Sequence, residues 1–212
     1  SENKQRLKIL LVGELAYNPE RVYALEQAGH KLFGLWVPNP NLSFTTVGHL
    51  PFGNIEDIPY DSWKESVTKL QPDIIYSLLN WGAIPFSFEV IKEFPNIPFV
   101  WHFKEGPSAS LRMGSWDKLI YLYTHASIKI YLNEVVKKWF EMFIPQGGLT
   151  FVMDGDLPKS DYFKNNFSTK LSSKDGEIHT VVSGRMIGIS DKDMQILVDN
   201  NIHVHLYTEN YH

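Results

Sequence analysis

Ile178-His179-Thr180-Val181-Val182 is an apolar strand run, and Gly184-Arg185 follows it. Ser190-Asp191 then stands where a helix cap belongs, ahead of Met194, Ile196, Leu197 and Val198. Asn200-Asn201 stops that helix, and Ile202–Tyr207 begins another strand. The order strand–loop–helix–strand is the opening of an α/β unit. The chain reaches His212 with that unit barely started. The sequence therefore reads as one α/β domain over residues 1–158, a polar linker over 159–176, and the first, incomplete part of a second domain over 177–212.

Working back from there, apolar runs and helix signals alternate. Leu7–Val12 ends at Gly13 and reads as a buried strand. Asn18-Pro19 starts a helix with Val22, Leu25 and Ala28 on one stripe, and Gly29 ends it. Strands are predicted at Lys31–Val37, Asp73–Leu79, Ile97–Trp101, Ile128–Leu132 and Thr150–Met153. Helices are predicted from Asp61-Ser62 to Leu70, over Pro85–Phe94, over Trp116–His125, and over Glu134–Phe143 behind an Asn133 cap. Two long loops are expected, Pro38–Pro59 and His102–Ser115. Most of the strands are apolar throughout rather than alternating, which predicts a Rossmann-like parallel sheet with helices on both faces. In such sheets ligands lie beyond the carboxyl ends of the strands. Those ends carry Gly13-Glu14, Asn80-Trp81-Gly82, His102–Gly106 and Asn133-Glu134.

The composition narrows the chemistry. Hydrophobic residues make up 43% of 212, enough for a sizeable core. The net charge is −4 with both signs mixed and no basic run, so a nucleic-acid surface is not expected. With no cysteine there is no disulfide, thiolate metal site or cysteine nucleophile. No apolar run reaches the roughly 18 residues of a membrane span, and Ser1–Arg6 lacks a signal-peptide core. A cytoplasmic protein with no membrane span is the expectation.

Candidate site residues follow from position and type. Gly13-Glu14-Leu15-Ala16-Tyr17-Asn18 lacks the second and third glycines of a dinucleotide fingerprint, so pyrophosphate binding after the first strand is not expected. His102 is placed where a buried strand meets a polar loop with Lys104 and Glu105, and could bond a sugar hydroxyl or act as a base. Glu14 occupies the matching tip of the first strand. Trp81, beside Gly82, could offer an aromatic face to a sugar ring. Asp154-Gly155-Asp156 reads either as a metal-holding carboxylate pair or as a turn after a strand. His203 and His205 share one strand face but lack an evident third metal ligand. No metal and no cofactor is expected.

The order of several short motifs resembles GT-B glycosyltransferases of the glycosyltransferase-4-like group. Leu25–Leu32 (LEQAGHKL) resembles their L-x-x-x-G-H-E-V step, and Gln71–Tyr76 (QPDIIY) their x-P-D-V-I-H step. Ile97–His102 (IPFVWH) resembles their I-P-x-V-x-x-x-H strand. Phe151–Phe163 (FVMDGDLPKSDYF) is similar to the segment that closes their first domain, and Val181–Arg185 (VVSGR) to the x-x-V-G-R that opens the second. The resemblance implies two Rossmann-like domains, the first holding a hydroxyl acceptor and the second a nucleotide-sugar donor, without a metal. It implies that Gly13 lies by the acceptor and donor sugar, that His102 contacts the donor sugar, and that Arg185 contacts the donor diphosphate. The sequence departs from the pattern at Glu14, where the family has a second glycine, and at Met186-Ile187, where it has Lys-Gly. The leading expectation is therefore a glycosyltransferase portion, with His102 catalytic and with Gly13, Glu14, Trp81, Lys104 and Glu105 around the acceptor. A non-catalytic sugar-binding or scaffolding module is the alternative, and a metal-dependent nucleotide-sugar transferase using Asp154 and Asp156 is a third.

Overall fold

The computed structural model describes residues 5–14, 24–38, 55–80, 82–108, 111, 114–145, 147–153, 164–183 and 188–207. The chain divides into two compact units, Ser1–Pro158 and Lys159–His212. Trp81, Asp154, Asp156, Arg185 and the helix start at Asn18-Pro19 lie outside the described residues.

Unit 1 is built on seven parallel strands: β1 Lys8–Gly13, β2 Lys31–Trp36, β3 Ile55–Asp57, β4 Ile74–Leu79, β5 Phe99–Phe103, β6 Ile128–Tyr131 and β7 Leu149–Val152. Their order across the sheet is β3-β2-β1-β4-β5-β6-β7. Among the described residues, helices α1 Trp63–Leu70, α2 Ala83–Glu93, α3 Trp116–His125 and α4 Glu134–Phe143 connect the later strands. Their apolar stripes place Val67, Ile84, Val90, Leu119, Leu122, Val136 and Phe140 in one buried cluster with Leu10, Val12, Leu35, Ile75 and Trp101 of the sheet. Alternate strand residues point the other way. Ile9, Leu11, Leu32, Trp36, Tyr76, Leu78, Val100 and Ile130 form a second cluster, joined by Leu25. Burial on both faces explains why the central strands β1, β2 and β4 are apolar almost throughout.

The first cluster is densest around Trp101. Its ring meets Tyr123, Tyr131 and Phe140 edge-on at centroid distances of 5.0, 5.6 and 5.2 Å, arrangements favoured by the aromatic quadrupole. The Tyr123 and Tyr131 hydroxyls bond each other at 2.9 Å. Burial is the main force raising both phenol pKa values. Lys129 is enclosed nearby, its Nζ donating to the Gly147 carbonyl at 3.2 Å, and burial lowers its pKa.

Besides one-residue shifts at several strand ends, the structure departs from the sequence reading in three places. The expected loop Pro38–Pro59 contains edge strand β3, whose Ile-Glu-Asp sequence is too short and polar to register as an apolar run. The Trp36 indole donates to Asp57 Oδ1 at 2.9 Å and ties that edge down. Strand β5 runs through His102 to Phe103, so the following loop begins at Lys104. Helix α2 starts two residues before Pro85, which falls in the first turn where no intrahelical N–H is needed.

Unit 2 contains α5 Leu171–Asp175, β8 Ile178–Ser183, α6 Asp191–Asp199 and β9 Ile202–Tyr207, with β8 and β9 parallel. Helix α5 lies inside the stretch expected as linker. A reciprocal cap starts α6: Ser190 Oγ accepts from the Asp193 N–H at 3.2 Å, and the Asp193 carboxylate accepts from the Ser190 N–H at 2.8 Å.

Candidate functional site

The sheet order reverses between β1 and β4. From β1 the chain moves outward through β2 to β3; it then returns to β4 beside β1 and moves outward the other way. In open parallel sheets this switch point opens a crevice at the carboxyl ends of the two strands. Glu14 is the first residue after β1 and Asn80 the first after β4.

Backbone packing brings these ends together. A Cβ on Gly13 would stand 2.8 Å from Leu78 Cβ and 2.9 Å from the Leu78 carbonyl oxygen, so only glycine lets β1 and β4 approach so closely here. Beyond it, Glu14 is 7% exposed and Asn80 5%. Asn80 Nδ2 donates to Glu14 Oε2 at 3.3 Å. Because a carboxylate only accepts, this contact fixes which way the amide faces. Asn80 Oδ1 is buried and has no hydrogen-bond partner among the described residues.

Gly82 completes the arrangement. It is the N-cap of α2, and a side chain there would overlap Glu14 Oε1. The Glu14 carboxylate thus lies against the start of α2, at the end of the helix dipole that favours an anion. The Ala83 and Ile84 N–H groups both bond the Asn80 carbonyl, at 3.1 and 3.3 Å. Pro85 has no N–H to offer. The two N–H groups that many α/β proteins turn toward a ligand phosphate are thus engaged by the protein's own Asn80 carbonyl.

On the β5 side, the Lys104 N–H bonds the Leu79 carbonyl at 3.1 Å, setting Lys104 in the next row outward beside Asn80. Lys104 and Glu105 are both half-buried. His102 sits two residues inward, paired in register with Leu78 and Ile130. It does not open the loop. Its ring is 1% exposed, and its Nδ1 is 2.8 Å from the Tyr76 hydroxyl of β4. The structure therefore gathers Gly13, Glu14, Asn80, Gly82 and the Lys104 backbone at one edge, and sets His102 within the sheet below it. The sequence marked Asn80 and Gly82 only as flanking loop residues. Their roles depend on Glu14, sixty-six positions away from Asn80.

Unit 2 carries a separate polar network. His179 and His203 are register neighbours whose rings stack at 4.6 Å. His179 Nδ1 is 2.8 Å from His205 Nε2, and its Nε2 is 2.7 Å from Asp175 Oδ2. His203 pairs with Glu177. A bond from the Glu177 N–H, with smaller help from His179, holds the Asp175 carboxyl below its ordinary pKa. Among the described residues, no group of three or more His, Asp or Glu side chains is arranged to hold a metal ion, and no helix is long and apolar enough to cross a membrane.

Solved structures with the same architecture exist. The UDP-N-acetylglucosamine 2-epimerase of Rickettsia bellii superposes with a TM-score of 0.59 at 12% identity, over 97% of this chain and 63% of that one. A UDP-forming α,α-trehalose-phosphate synthase from Burkholderia xenovorans gives 0.52 at 10% identity, over 95% of this chain and 64% of that one. The fold is of GT-B type. The chain spans somewhat less than two-thirds of each of these proteins. The sequence matches no protein-family profile and no curated protein.

Proposed function

We propose that unit 1 is the sugar-holding half of a sugar-nucleotide enzyme, and that its β1/β4 crevice takes a polyhydroxylated, uncharged group rather than a phosphate. The observation that carries this reading is the Glu14 carboxylate at the start of α2. It stands beside the start of α2, where a carboxylate would oppose an entering phosphate. In this reading the reaction class is glycosyl transfer from a nucleotide-sugar to a hydroxyl. Glu14, Lys104 and Glu105 surround the acceptor, with Trp81 as its aromatic wall, and Arg185 contacts the donor diphosphate as the family resemblance implies. His102, enclosed with Tyr76, serves as a positioning residue that holds the β4 and β5 ends in register. No metal is invoked.

Saturation-transfer NMR on the chain with methyl glycosides of glucose, galactose, mannose and N-acetylglucosamine tests the proposal. Binding of at least one glycoside, unaffected by inorganic pyrophosphate and weakened by Glu14→Gln, is expected. Pyrophosphate competing with the sugar, or binding that ignores Glu14, would count against it. The epimerase likeness supports a second reading, in which the sugar portion of a nucleotide-sugar is itself the substrate. Nucleotide release from UDP-sugars that requires an added acceptor separates transfer from epimerisation.

A further inference from the structure

The Asn80 amide is held by one end. Its Nδ2 is committed to Glu14 Oε2, while Oδ1, on the opposite arm of the planar amide, is buried without a partner among the described residues. A buried carbonyl oxygen left unbonded costs about 1–3 kcal/mol, so this one stands as an unmet demand for a hydrogen-bond donor. It stands at the carboxyl edge of β4, beside the switch point. Among the described residues no donor meets it. The α2 N–H groups of Ala83 and Ile84 are taken by the Asn80 backbone carbonyl, and Pro85 has none. Glu14, also an acceptor when ionised, cannot serve either.

Resting on the reading of this crevice as a sugar site, we infer that Asn80 is its specificity-determining residue. Its Oδ1 accepts the hydrogen of one ligand O–H or N–H, and Glu14 holds the amide in the orientation that makes this so. The ligand chemistry is a sugar-ring hydroxyl or amino group that must donate. A group that can only accept, such as a fluorine, an ether oxygen or a phosphate oxygen, would place acceptor against acceptor. A site built around one polar partner discriminates strongly against an analogue lacking it, because the buried atom is then left unpaired.

The test uses whichever methyl glycoside binds the chain, with its singly deoxyfluorinated and amino-substituted analogues. Affinities are measured by ligand-observed NMR for the wild type, Asn80→Ala and Asn80→Asp. In the wild type, fluorine at one ring position should weaken binding by about tenfold or more, and the amino analogue at that position should still bind. Asn80→Ala should bind the parent glycoside about tenfold more weakly and no longer distinguish it from that fluoro analogue. Asn80→Asp keeps an oxygen at Oδ1 but turns the Glu14 contact repulsive, so it should also lose discrimination. Far-UV circular dichroism and a retained melting transition establish that each variant is folded. Should Asn80→Ala keep full affinity and the same fluoro penalty, the Asn80 assignment is overturned while the sugar site stands. If no glycoside binds the wild type, both the site and this assignment fall.

Discussion

Gly82 offers a sharp test of the site, because its replacement should act through a single neighbour. Its φ of −75° and ψ of −21° are ordinary right-handed helical values, so alanine meets no backbone strain there. The added methyl instead claims the position of Glu14 Oε1. Glu14 must then rotate away and lose the 3.3 Å bond from Asn80. A hydrogen bond to a charged group contributes about 1.5–3 kcal/mol, and forcing a methyl into a packed site costs about 1–3 kcal/mol. The two overlap, since moving Glu14 relieves the clash, so Gly82→Ala should destabilise unit 1 by about 2–4 kcal/mol. For a unit of this size that is a melting-point loss of roughly 5–15 °C. Glu14→Ala alone should cost about 1–3 kcal/mol. In the double variant the methyl enters space already cleared, so its stability should lie within about 0.5 kcal/mol of Glu14→Ala. Urea unfolding followed by circular dichroism measures all three. If the two single costs simply add, or if Gly82→Ala is neutral, the carboxylate does not sit at the start of α2.

Alkaline unfolding should be set by the tyrosine pair. Both folded-state pKa values are raised above the ordinary phenol value of 10.0, so their stabilising contribution is complete below about pH 10 and is lost as pH rises above it; phenolate absorbance from these two should appear only with unfolding. Lys129 acts oppositely, because its lowered pKa lets stability recover as pH climbs toward 10.5, and Lys129→Met should flatten that rise in a pH series of melting curves. In unit 2, the bond from the Ser190 N–H lowers the Asp193 pKa, so its contribution is present above pH 3.8 and fades as pH falls through the lowered value; Ser190→Ala should weaken α6 by about 1 kcal/mol, read as faster amide exchange in residues 191–199. Tyr76→Phe should cost about 1 kcal/mol of stability and leave glycoside affinity within a factor of two, whereas His102→Ala should cost about 2–4 kcal/mol; a large loss of sugar affinity in Tyr76→Phe with unchanged stability would make the Tyr76–His102 pair a direct ligand contact.

The parallel sheet was legible because Leu10, Val12, Ile75 and Trp101 on one face, and Ile9, Leu11, Tyr76 and Val100 on the other, all require burial. Local patterning carries that requirement. Asn133 and Ser190 were equally legible as caps, since capping acts over three residues. The short polar strand β3 was not, because its pairing with β2 is a property of the partner. The strand ends were legible in the sequence, but the contacts that join them were not. Glu14 looked like a departure from a glycine pair until its carboxylate was seen against Gly82, a contact no local pattern encodes. His102 looked like a loop residue because its hydrogen-bond partner Tyr76 on the adjoining strand, which makes its burial tolerable, lies 26 positions away.

The reversal at β1/β4 also partitions the sheet by sequence. Strands β1, β2 and β3 come from residues 8–57, strands β4 to β7 from residues 74–152, and the two groups meet in the sheet along the single β1/β4 seam. The connection over 58–73, which includes α1, is the covalent bridge between two half-sheets that each have consecutive strands. Severing it would turn one fold into a bimolecular association whose interface is the seam itself. Glu14 belongs to one half, and Asn80 with Gly82 to the other. The candidate site would then exist only while the halves are joined, and ligand binding would strengthen their affinity for each other by the same factor that rejoining strengthens binding.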